Sequence, residues 1–318
     1  MSQVPAGRSI LVRVPASSAN LGPGFDSIGL ALGLWDEYVV TSTAEPGLKI
    51  TVEGEGADDV PTDETHLVYA TMRHTWIELG VEPPGGLVLE AHNGVPHGRG
   101  LGSSATAIVA GVVAAQALSA DSWPETGAEV AIDRDVAGHI SSVLEGHPDN
   151  ASASVHGGLT VSWMPDGSGR DLGTRTVTAR PALHPDLEVI VFVPDAQLAT
   201  KTARAVLPAT VALADAAANA GRAALLVHAL TTDPTHLHAG TRDWLHQEPR
   251  REAYAASMAL VDAFRAAGHA AVVSGAGPTV LVLTTRDRAA EVVAAAGLGD
   301  WVRLSPGVPA TGAVVTVR

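Results

Sequence analysis

Apolar runs of two lengths alternate along the first half of the chain, and their lengths separate strands from helices. Short runs bounded by Gly, Pro or polar residues predict strands at residues 10–14, 36–43, 48–53, 87–91 and 159–163. Longer runs predict helices at residues 68–79, 105–118 and 128–144, of which 105–118 has the small apolar composition of a buried helix. Pro15 is expected to end the first strand, and the Gly-rich residues 16–32 to form a shaped loop.

The second half combines one continuous apolar run with several Ala-rich helices. Residues 187–193 predict a strand that is buried on both faces. Further strands are predicted at 270–273, 280–284 and 312–317, and helices at 209–229, 235–245, 252–267 and 286–296. This order predicts an α+β sandwich, with one sheet covered by helices on one face. The polar segment 164–175 is the expected domain boundary, which divides the chain into residues 1–165 and 166–318.

The composition is that of a globular enzyme and limits its partners. The 318 residues are 46% hydrophobic and 17% charged, which allows two domains with ample core. A formal net charge of −14 argues against a nucleic-acid partner, and the lack of cysteine excludes disulfides and thiolate chemistry. The N-terminus lacks a hydrophobic signal region and no apolar run reaches the length of a membrane span, so we expect a cytoplasmic protein without a membrane partner.

The glycine-rich segment before the central helix is the strongest candidate for a binding site. Gly98, Gly100 and Gly102 alternate, so the backbone can adopt positive φ and approach a ligand closely. Ser103 and Ser104 then open the predicted helix, whose N-terminal N–H groups and partial positive charge suit a phosphate. The alternative is a tight turn with a serine N-cap. Three glycines, two serines and a predicted helix within one segment favour a phosphate site over a simple turn.

Three known glycine loops do not fit this segment. A P-loop ends in Gly-Lys-Ser/Thr, and the chain has no lysine between Thr51 and Thr200. The signatures of protein kinases are missing. Residues 100–105 match the dinucleotide pattern Gly-x-Gly-x-x-Ala, but a six-residue loop separates them from the preceding strand, and Asp121 does not end a second strand. The dinucleotide interpretation is therefore disfavoured.

Four other polar segments are candidates for a site, each with an ordinary structural alternative. Asn20 and Asp26 could hold a small polar ligand or form an Asx turn. Residues 145–156 combine carboxylates, histidines and an amide, as a binding site or a solvated loop would. Lys201 and Arg204 could meet an anion or begin a helix. Residues 274–279 predict a tight glycine turn.

Five ordered motifs together resemble the GHMP small-molecule kinases and, in detail, the homoserine kinase family. They are Pro-Ala-Ser-Ser-Ala-Asn-Leu-Gly-Pro-Gly-Phe-Asp at 15–26, Arg-Gly-Leu-Gly-Ser-Ser-Ala at 99–105, Glu-Gly-His-Pro-Asp-Asn at 145–150, Thr-Ala-Arg-Ala-Val-Leu-Pro at 202–208 and Ser-Gly-Ala-Gly-Pro-Thr at 274–279. The resemblance covers residues 10 to about 284. It implies an α+β, two-domain fold, with an N-terminal domain like domain 2 of ribosomal protein S5 and a ferredoxin-like C-terminal sandwich.

The resemblance also implies ATP and Mg²⁺. The residues implied in binding the nucleotide are Pro96, Gly98, Arg99, Gly100, Leu101, Gly102, Ser103, Ser104, Ala105, Gly275 and Gly277. The implied metal ligands are Ser104 and Glu145.

The implied reaction is the phosphorylation of the L-homoserine hydroxyl to O-phosphohomoserine, a precursor of threonine. The residues implied in binding homoserine are Asn20, Asp26, His147, Arg204 and Arg250, and those implied in catalysis are Asn150, Arg204 and Glu145. Several related kinases have an aspartate where Asn150 stands, and an amide cannot accept a proton, so we expect direct transfer in which the γ-phosphate takes the proton. The alternatives are another small carboxylated alcohol as substrate, or a catalytically silent binding protein. A homodimer is expected.

Overall fold

The first layer of the molecule is a mixed sheet built around a long hairpin. The structure, a computed structural model, describes residues 3–165, 174–295 and 299–318. In this part of the chain the first sheet contains seven strands: β1 (Ser9–Asn20), β2 (Gly24–Thr43), β3 (Gly47–Gly54), β4 (Gly86–Asn93), β5 (Leu159–Trp163), β6 (Val177–Ala179) and β11 (Val314–Val317). Their order is β11-β1-β2-β4-β3, with β5 paired to the first half of β2 and to β6. Only the β3–β4 pairing within this sheet is parallel.

The hairpin contradicts the expected loop at residues 16–32. Strands β1 and β2 run through most of that segment and leave only three residues between them. Pro15 does not end β1, because the register shifts between Pro15 and Ala16, and again between Ala19 and Asn20. Such bulges accommodate a proline and glycines within a strand, and they bend it. The bend carries Asn20 to the far end of the hairpin.

Four helices pack with the first sheet: α1 (Leu67–Leu79), α2 (Ser103–Leu118), α3 (Arg134–Glu145) and α4 (Asp149–His156). Helix α2 is central, as predicted, and twelve of its 16 residues are buried. Gly111 lets α1 approach it, since a Cβ there would lie 2.5 Å from the carbonyl oxygen of Val68. Residues 128–133 are not helical, and α3 begins at the Asp133 cap. Helix α4 was not predicted, because its polar sequence lacks an apolar stripe.

The second sheet has the ferredoxin-like strand order. Its described strands are β7 (Leu187–Val193), β8 (Ala270–Val273), β9 (Val280–Thr285) and β10 (Val302–Leu304), in the antiparallel order β10-β7-β9-β8. The helices are α5 (Thr200–Ala205), α6 (Leu213–Thr231), α7 (Leu237–Gly240), α8 (Ala255–Ala266) and α9 (Ala289–Ala295). The expected helix at 235–245 is confined to a 3₁₀ turn and the four residues of α7.

Both faces of β7 are buried, as predicted, but helices cover both faces of the sheet rather than one. Ile190 and Phe192 pack with residues of α8 and α9. Val189 and Val191 point the other way and pack with α6, α7 and side chains of β1 and β2. This second cluster joins the two sheets into one apolar interior.

The domain boundary between 165 and 166 stays a prediction, and the strand pairing departs from it at two points. Strand β6 pairs with β5, and β11 pairs with β1, so both complete the first sheet although they follow residue 166. Most of the expected linker, residues 166–173, lies outside the described residues. Within the described chain, no helix is both long and apolar enough to cross a membrane.

Candidate active site

One cavity of about 140 Å³ collects residues from both halves of the chain. It lies where the end of the β1–β2 hairpin, the glycine loop before α2, the start of α4 and helix α5 meet. Of the residues predicted for the site, it is lined by Asn20, Asp26, Gly98, Gly100, Gly102, Ser103, Ser104, Glu145, His147, Asn150, Arg204, Arg250 and Gly275. Segments predicted independently along the sequence therefore converge on one surface.

Three glycines shape the loop as predicted. Gly98, Gly100 and Gly102 adopt φ of 64°, 76° and 75°. Gly102 is the N-cap residue of α2, and no side chain caps the helix, so the alternative of a serine N-cap is wrong. The first N–H groups of α2 are therefore free to bind an anion that approaches Ser103 and Ser104.

Five residues of the predicted nucleotide site do not line the cavity: Pro96, Arg99, Leu101, Ala105 and Gly277. Arg99 instead donates to the carbonyl oxygens of Pro194 (2.8 Å) and Asp195 (3.1 Å), which ties the loop to the end of β7. Leu101 and Ala105 are buried in the apolar interior. Arg99 therefore anchors the loop, and Leu101 and Ala105 pack beneath the surface.

The turn at 274–279 closes one side of the cavity. The hydroxyl of Ser274 donates to the carbonyl oxygen of Gly100 at 2.5 Å, and the N–H of Gly275 donates to that of Ala19 at 3.1 Å. The side-chain amide of Asn20 donates to the carbonyl oxygen of Gly275 at 3.1 Å. The turn thus locks the glycine loop to the end of β1.

An ion pair joins Asp26 and Arg204, two of the residues that the resemblance implies in binding the substrate. Arg204 binds the carboxylate of Asp26 through both terminal nitrogens, at 2.5 and 3.1 Å. Asp26 has a φ of 54°, and its N–H donates to the Asn20 side-chain oxygen at 3.0 Å. Both side chains are about one third exposed, so the pair opens onto the cavity.

Arg250 is buried and is fixed by a hydrogen bond to the backbone. It is 2% exposed, and its Nε donates to the carbonyl oxygen of Ala203 at 2.8 Å. Its guanidinium lies 5.7 Å from the ring centre of Phe25, and that of Arg204 lies 5.5 Å from the same ring. Two guanidinium groups therefore flank one aromatic ring at the floor of the cavity.

A hydrogen-bonded histidine–aspartate pair, His147 and Asp149, also lines the cavity. Nδ1 of His147 lies 2.6 Å from the carboxylate of Asp149, which also accepts the N–H of Asn150 at 2.8 Å. Burial alone would lower the pKa of His147, but the hydrogen bond to Asp149 and the charges of Asp149 and Glu145 outweigh it and raise this pKa. Ligand atoms of Asp26, His147 and Asp149 lie within 4.8 Å of one another, but ion pairs and hydrogen bonds already engage them.

Glu145 and Ser104 offer oxygen ligands beside the glycine loop. The Ser104 hydroxyl lies 3.4 Å from Oε2 of Glu145. Burial raises the pKa of Glu145, more than the charge of His147 lowers it. A carboxylate kept away from water and close to a hydroxyl suits a hard divalent cation, which would favour its ionised form.

Asn150 is fixed at the back of the cavity. Its amide nitrogen donates to the hydroxyl of Ser17 at 3.0 Å and to the Ser17 carbonyl oxygen at 3.3 Å. The side chain has no group that could act as a base at neutral pH. Its predicted role in catalysis stays a prediction.

Comparison with known proteins shows which family the chain is similar to. The family model of the GHMP kinases N terminal domain matches residues 66–158, and that of the GHMP kinases C terminal matches residues 226–298. A homoserine kinase of Streptomyces coelicolor is 47% identical over 313 residues, 98% of this chain and 96% of that protein. One of Rhodococcus opacus is 49% identical over 290 residues, 89% of each. The crystal structure of homoserine kinase from Cytophaga hutchinsonii has a TM-score of 0.81 and 25% identity, over 97% of both chains.

The chain belongs to the GHMP kinase family. The resemblance predicted from the five motifs is thereby confirmed, for the GHMP kinases and in detail for the homoserine kinases. The expected two-domain α+β fold of this family is also confirmed. The protein is an ATP-dependent small-molecule kinase, which excludes the dinucleotide interpretation of its glycine loop.

Three residues in or directly behind the site of this GHMP kinase were not predicted from the sequence. Phe25 and Asp149 line the cavity, and both stand inside motifs that were singled out, one position from a predicted residue. His246 lies behind Arg250, and its Nδ1 is 3.2 Å from Nη1 of that arginine. Membership of those motifs is a signal that could have found Phe25 and Asp149, whereas His246 stands in none of the five motifs.

Proposed function

We propose that this kinase transfers the γ-phosphoryl group of ATP to the side-chain hydroxyl of L-homoserine, which yields ADP and O-phospho-L-homoserine for threonine biosynthesis. The observation that carries the proposal is the charge arrangement of the cavity. The cavity is lined both by Asp26, Arg204 and Arg250, which we take as its amino-acid end, and by the glycine loop with the N-terminus of α2, which we take as its phosphate end. The first end suits an amino acid, and the second suits a phosphate.

The amino-acid end selects a zwitterion. We assign the ammonium group of homoserine to Asp26 and Asn20, and its carboxylate to Arg204, Arg250 and His147. The raised pKa of His147 favours a cationic imidazole there, which adds a third positive charge for the carboxylate. An alcohol that carries only one of these charges would separate Asp26 from Arg204 and leave one of the two without a partner, and this penalty gives selectivity.

The phosphate end positions the nucleotide. The backbone N–H groups of residues 102–104 would bind the phosphates of ATP, and the positive φ values of the loop let them approach closely. Ser104 and Glu145 are the residues that would hold Mg²⁺, because both offer oxygen atoms beside that loop. The cation would neutralise phosphate charge during transfer.

The transfer itself needs alignment more than covalent help. The homoserine hydroxyl oxygen forms a bond to the γ-phosphorus while the bond from that phosphorus to the β–γ bridging oxygen of ADP breaks. The hydroxyl proton passes to an oxygen of the transferred phosphoryl group, since Asn150 cannot accept it. Holding the amino acid at both charged ends places its hydroxyl in line with the phosphate.

The test is ADP release by the purified protein with MgATP and a set of acceptors. L-Homoserine is expected to support turnover, whereas L-serine, mevalonate, 4-hydroxybutyrate and 3-aminopropan-1-ol are not. The last two compounds keep the hydroxyl but each lacks one charge. Turnover with 4-hydroxybutyrate equal to that with L-homoserine would contradict the assignment of the ammonium group to Asp26. ATP binding without turnover on any acceptor would instead support a silent binding protein.

A homodimer and a cytoplasmic location stay predictions. Light scattering of the purified protein during size-exclusion chromatography measures its mass in solution. A mass near 32.4 kDa would contradict the dimer.

A further inference from the structure

His246 is a buried histidine that connects two parts of the cavity without lining it. It is fully buried, and it follows a turn in which the Asp243 carboxylate accepts the N–H groups of Leu245, His246 and Gln247 at 2.8–3.0 Å. The next residue, Gln247, accepts the N–H of Val273 at 2.7 Å and so ties this turn to β8. The imidazole is therefore held on a rigid support.

Both ring nitrogens of His246 have defined partners. Nη1 of Arg250 lies 3.2 Å from Nδ1, and a guanidinium can only donate, so Nδ1 must accept. The proton then resides on Nε2, which lies 2.8 Å from the carbonyl oxygen of Gly22 and donates to it. The contacts thus require one neutral tautomer.

The ring also fixes the tip of the hairpin. It stacks on Phe25 with the ring centres 5.1 Å apart and an angle of 24° between the planes. Gly22 has a φ of 93°, and a Cβ there would lie 2.3 Å from the carbonyl oxygen of Thr241, so the tip is pressed against the same segment. Asn20 and Asp26 flank this tip in the chain.

We propose that His246 is a positioning residue, which, as the neutral Nε2–H tautomer, sets the spacing between Arg250 and the hairpin tip that carries Asn20 and Asp26. The inference rests on the proposed function, because these groups are there assigned to the two charged ends of L-homoserine. Nε and Nη1 of Arg250 each donate one bond, to Ala203 and His246, and the proposal assigns the carboxylate to the remaining N–H groups of the guanidinium. His246 itself does not touch the substrate.

Protonation of His246 would place an N–H against the guanidinium of Arg250 and remove the acceptor. The charged groups that face the ring are Asp243, at 3.7 Å from Nε2, Arg250 and, further away, Asp26. Burial lowers the pKa of His246 and, together with the charge of Arg250, outweighs the charges of Asp243 and Asp26 and the hydrogen bond to Gly22, which raise it. The neutral form is therefore the one present at neutral pH.

Two variants of His246 each remove one of its two hydrogen bonds, to Gly22 or to Arg250. In His246→Gln the amide reaches the position of Nε2 and keeps the bond to Gly22, whereas Arg250 loses its acceptor. In His246→Asn the shorter amide keeps an acceptor near Nδ1 and loses Gly22. We expect His246→Gln to raise KM for L-homoserine about tenfold or more, with kcat and KM for MgATP within about twofold, since an unpaired buried donor is costly.

The control is His269→Asn, since His269 is also buried but lies before β8, away from the cavity. We expect it to leave both KM values unchanged at a similar melting temperature. The acid limb of the pH profile of KM for L-homoserine should change in His246→Asn and not in the control. A normal KM in His246→Gln, or equal loss of affinity for both substrates, would overturn the proposal.

A spectroscopic test does not depend on the reaction or on the variants folding. Long-range ¹H–¹⁵N correlation of the wild-type imidazoles should show one histidine with Nδ1 unprotonated and Nε2 protonated down to acidic pH. A protonated Nδ1 on His246 would overturn the proposal. If the wild-type protein instead keeps this tautomer but does not turn over L-homoserine, the proposed function fails and the positioning of Arg250 stands.

Discussion

At the scale of single residues, Asp26 and Arg204, which both line the cavity, compensate each other's charge. The bidentate contact at 2.5 and 3.1 Å gives each of the two charges a partner within the protein. A zwitterion can insert between them and replace one ion pair by two. A ligand of single charge can satisfy only one of the two residues.

Replacing Asp26 by Asn tests this exchange. The amide keeps the size of the side chain but cannot neutralise an ammonium group, so we expect KM for L-homoserine to rise about ten- to a hundredfold. KM for MgATP should change by about twofold or less, because the phosphate end is untouched. Steady-state kinetics with each substrate varied in turn measures both.

The matched control for Asp26→Asn is Glu37→Gln. Glu37 also pairs with an arginine, Arg13 at 2.8 Å, and is similarly exposed, but it lies outside the cavity. Exposed pairs of this kind contribute little to stability, so we expect wild-type kinetics and melting temperature. An equal rise of KM in both variants would show that the effect is not one of binding the ammonium group.

At the scale of elements, the conformation of the glycine loop depends on two properties of its backbone. Its glycines have positive φ, and part of it packs closely against other backbone atoms. Gly98 and Gly100 share a positive φ, but a Cβ at Gly98 would meet only the flexible side chain of Gln197 at 3.4 Å. A Cβ at Gly100 would lie 2.3 Å from the carbonyl oxygen of Ser274. The two positions therefore separate conformational strain from steric displacement of the loop.

Gly100→Ala is expected to displace the loop from the turn at 274–279 and so to misplace the phosphates. We expect KM for MgATP to rise by more than about tenfold, with a clear loss of stability. The reason is that the carbonyl oxygen of Ser274 belongs to the backbone and cannot move aside as a flexible side chain can. Gly98→Ala carries only the left-handed penalty of roughly 1–2 kcal/mol. Urea unfolding and kinetics measure both variants, and similar effects in the two would contradict the steric explanation.

At the scale of the whole molecule, His156 lies where distant parts of the chain meet. It ends α4, and its carbonyl oxygen accepts a bond from Arg180 at 2.9 Å. Arg134 of α3 donates to the carbonyl oxygen of Ala313, just before β11, at 2.9 Å. Burial, and then the charges of Arg180 and Arg134, lower the pKa of His156 from its ordinary 6.5 to about 4.

This depressed pKa predicts a loss of stability in acid. Between about pH 6.5 and 4 the unfolded chain binds a proton at His156 that the folded chain does not, so the free energy of unfolding falls as pH falls. Between pH 7 and 4.5 we expect this group to remove about 2–3 kcal/mol. Urea unfolding of the wild type and of His156→Gln measures the difference.

His156→Gln should lack that part of the pH dependence, while His228→Gln, at an exposed histidine, should retain it. Equal slopes of unfolding free energy against pH in the wild type and in His156→Gln would contradict the assignment. The effect is read from the free energy of unfolding of the whole chain, because the charges that act on His156 belong to Arg180 and to Arg134 of α3.

Sequence patterns predicted an element correctly where its own residues determine its structure, and failed where contacts with distant segments determine it. The buried helix α2 and strand β7 were predicted correctly, since an apolar run needs no information about its partner. Residues 16–32 were wrongly predicted as a loop, because the bulges that let Pro15 and the glycines remain in β1 and β2 depend on pairing with a second strand. Helix α4 was missed because its burial comes from surrounding elements rather than from its own polar residues.

The sequence by itself determined the glycine loop, the family and the charged residues of the proposed site, because these depend on residue types in a fixed local order. Only the tertiary structure decided that Asp26 pairs with Arg204, 178 positions away, and that Arg99 faces away from the cavity. It also decided that β11 completes the first sheet and that His246 supports Arg250. Such contacts follow from the packing of two sheets around one interior, which no single segment specifies.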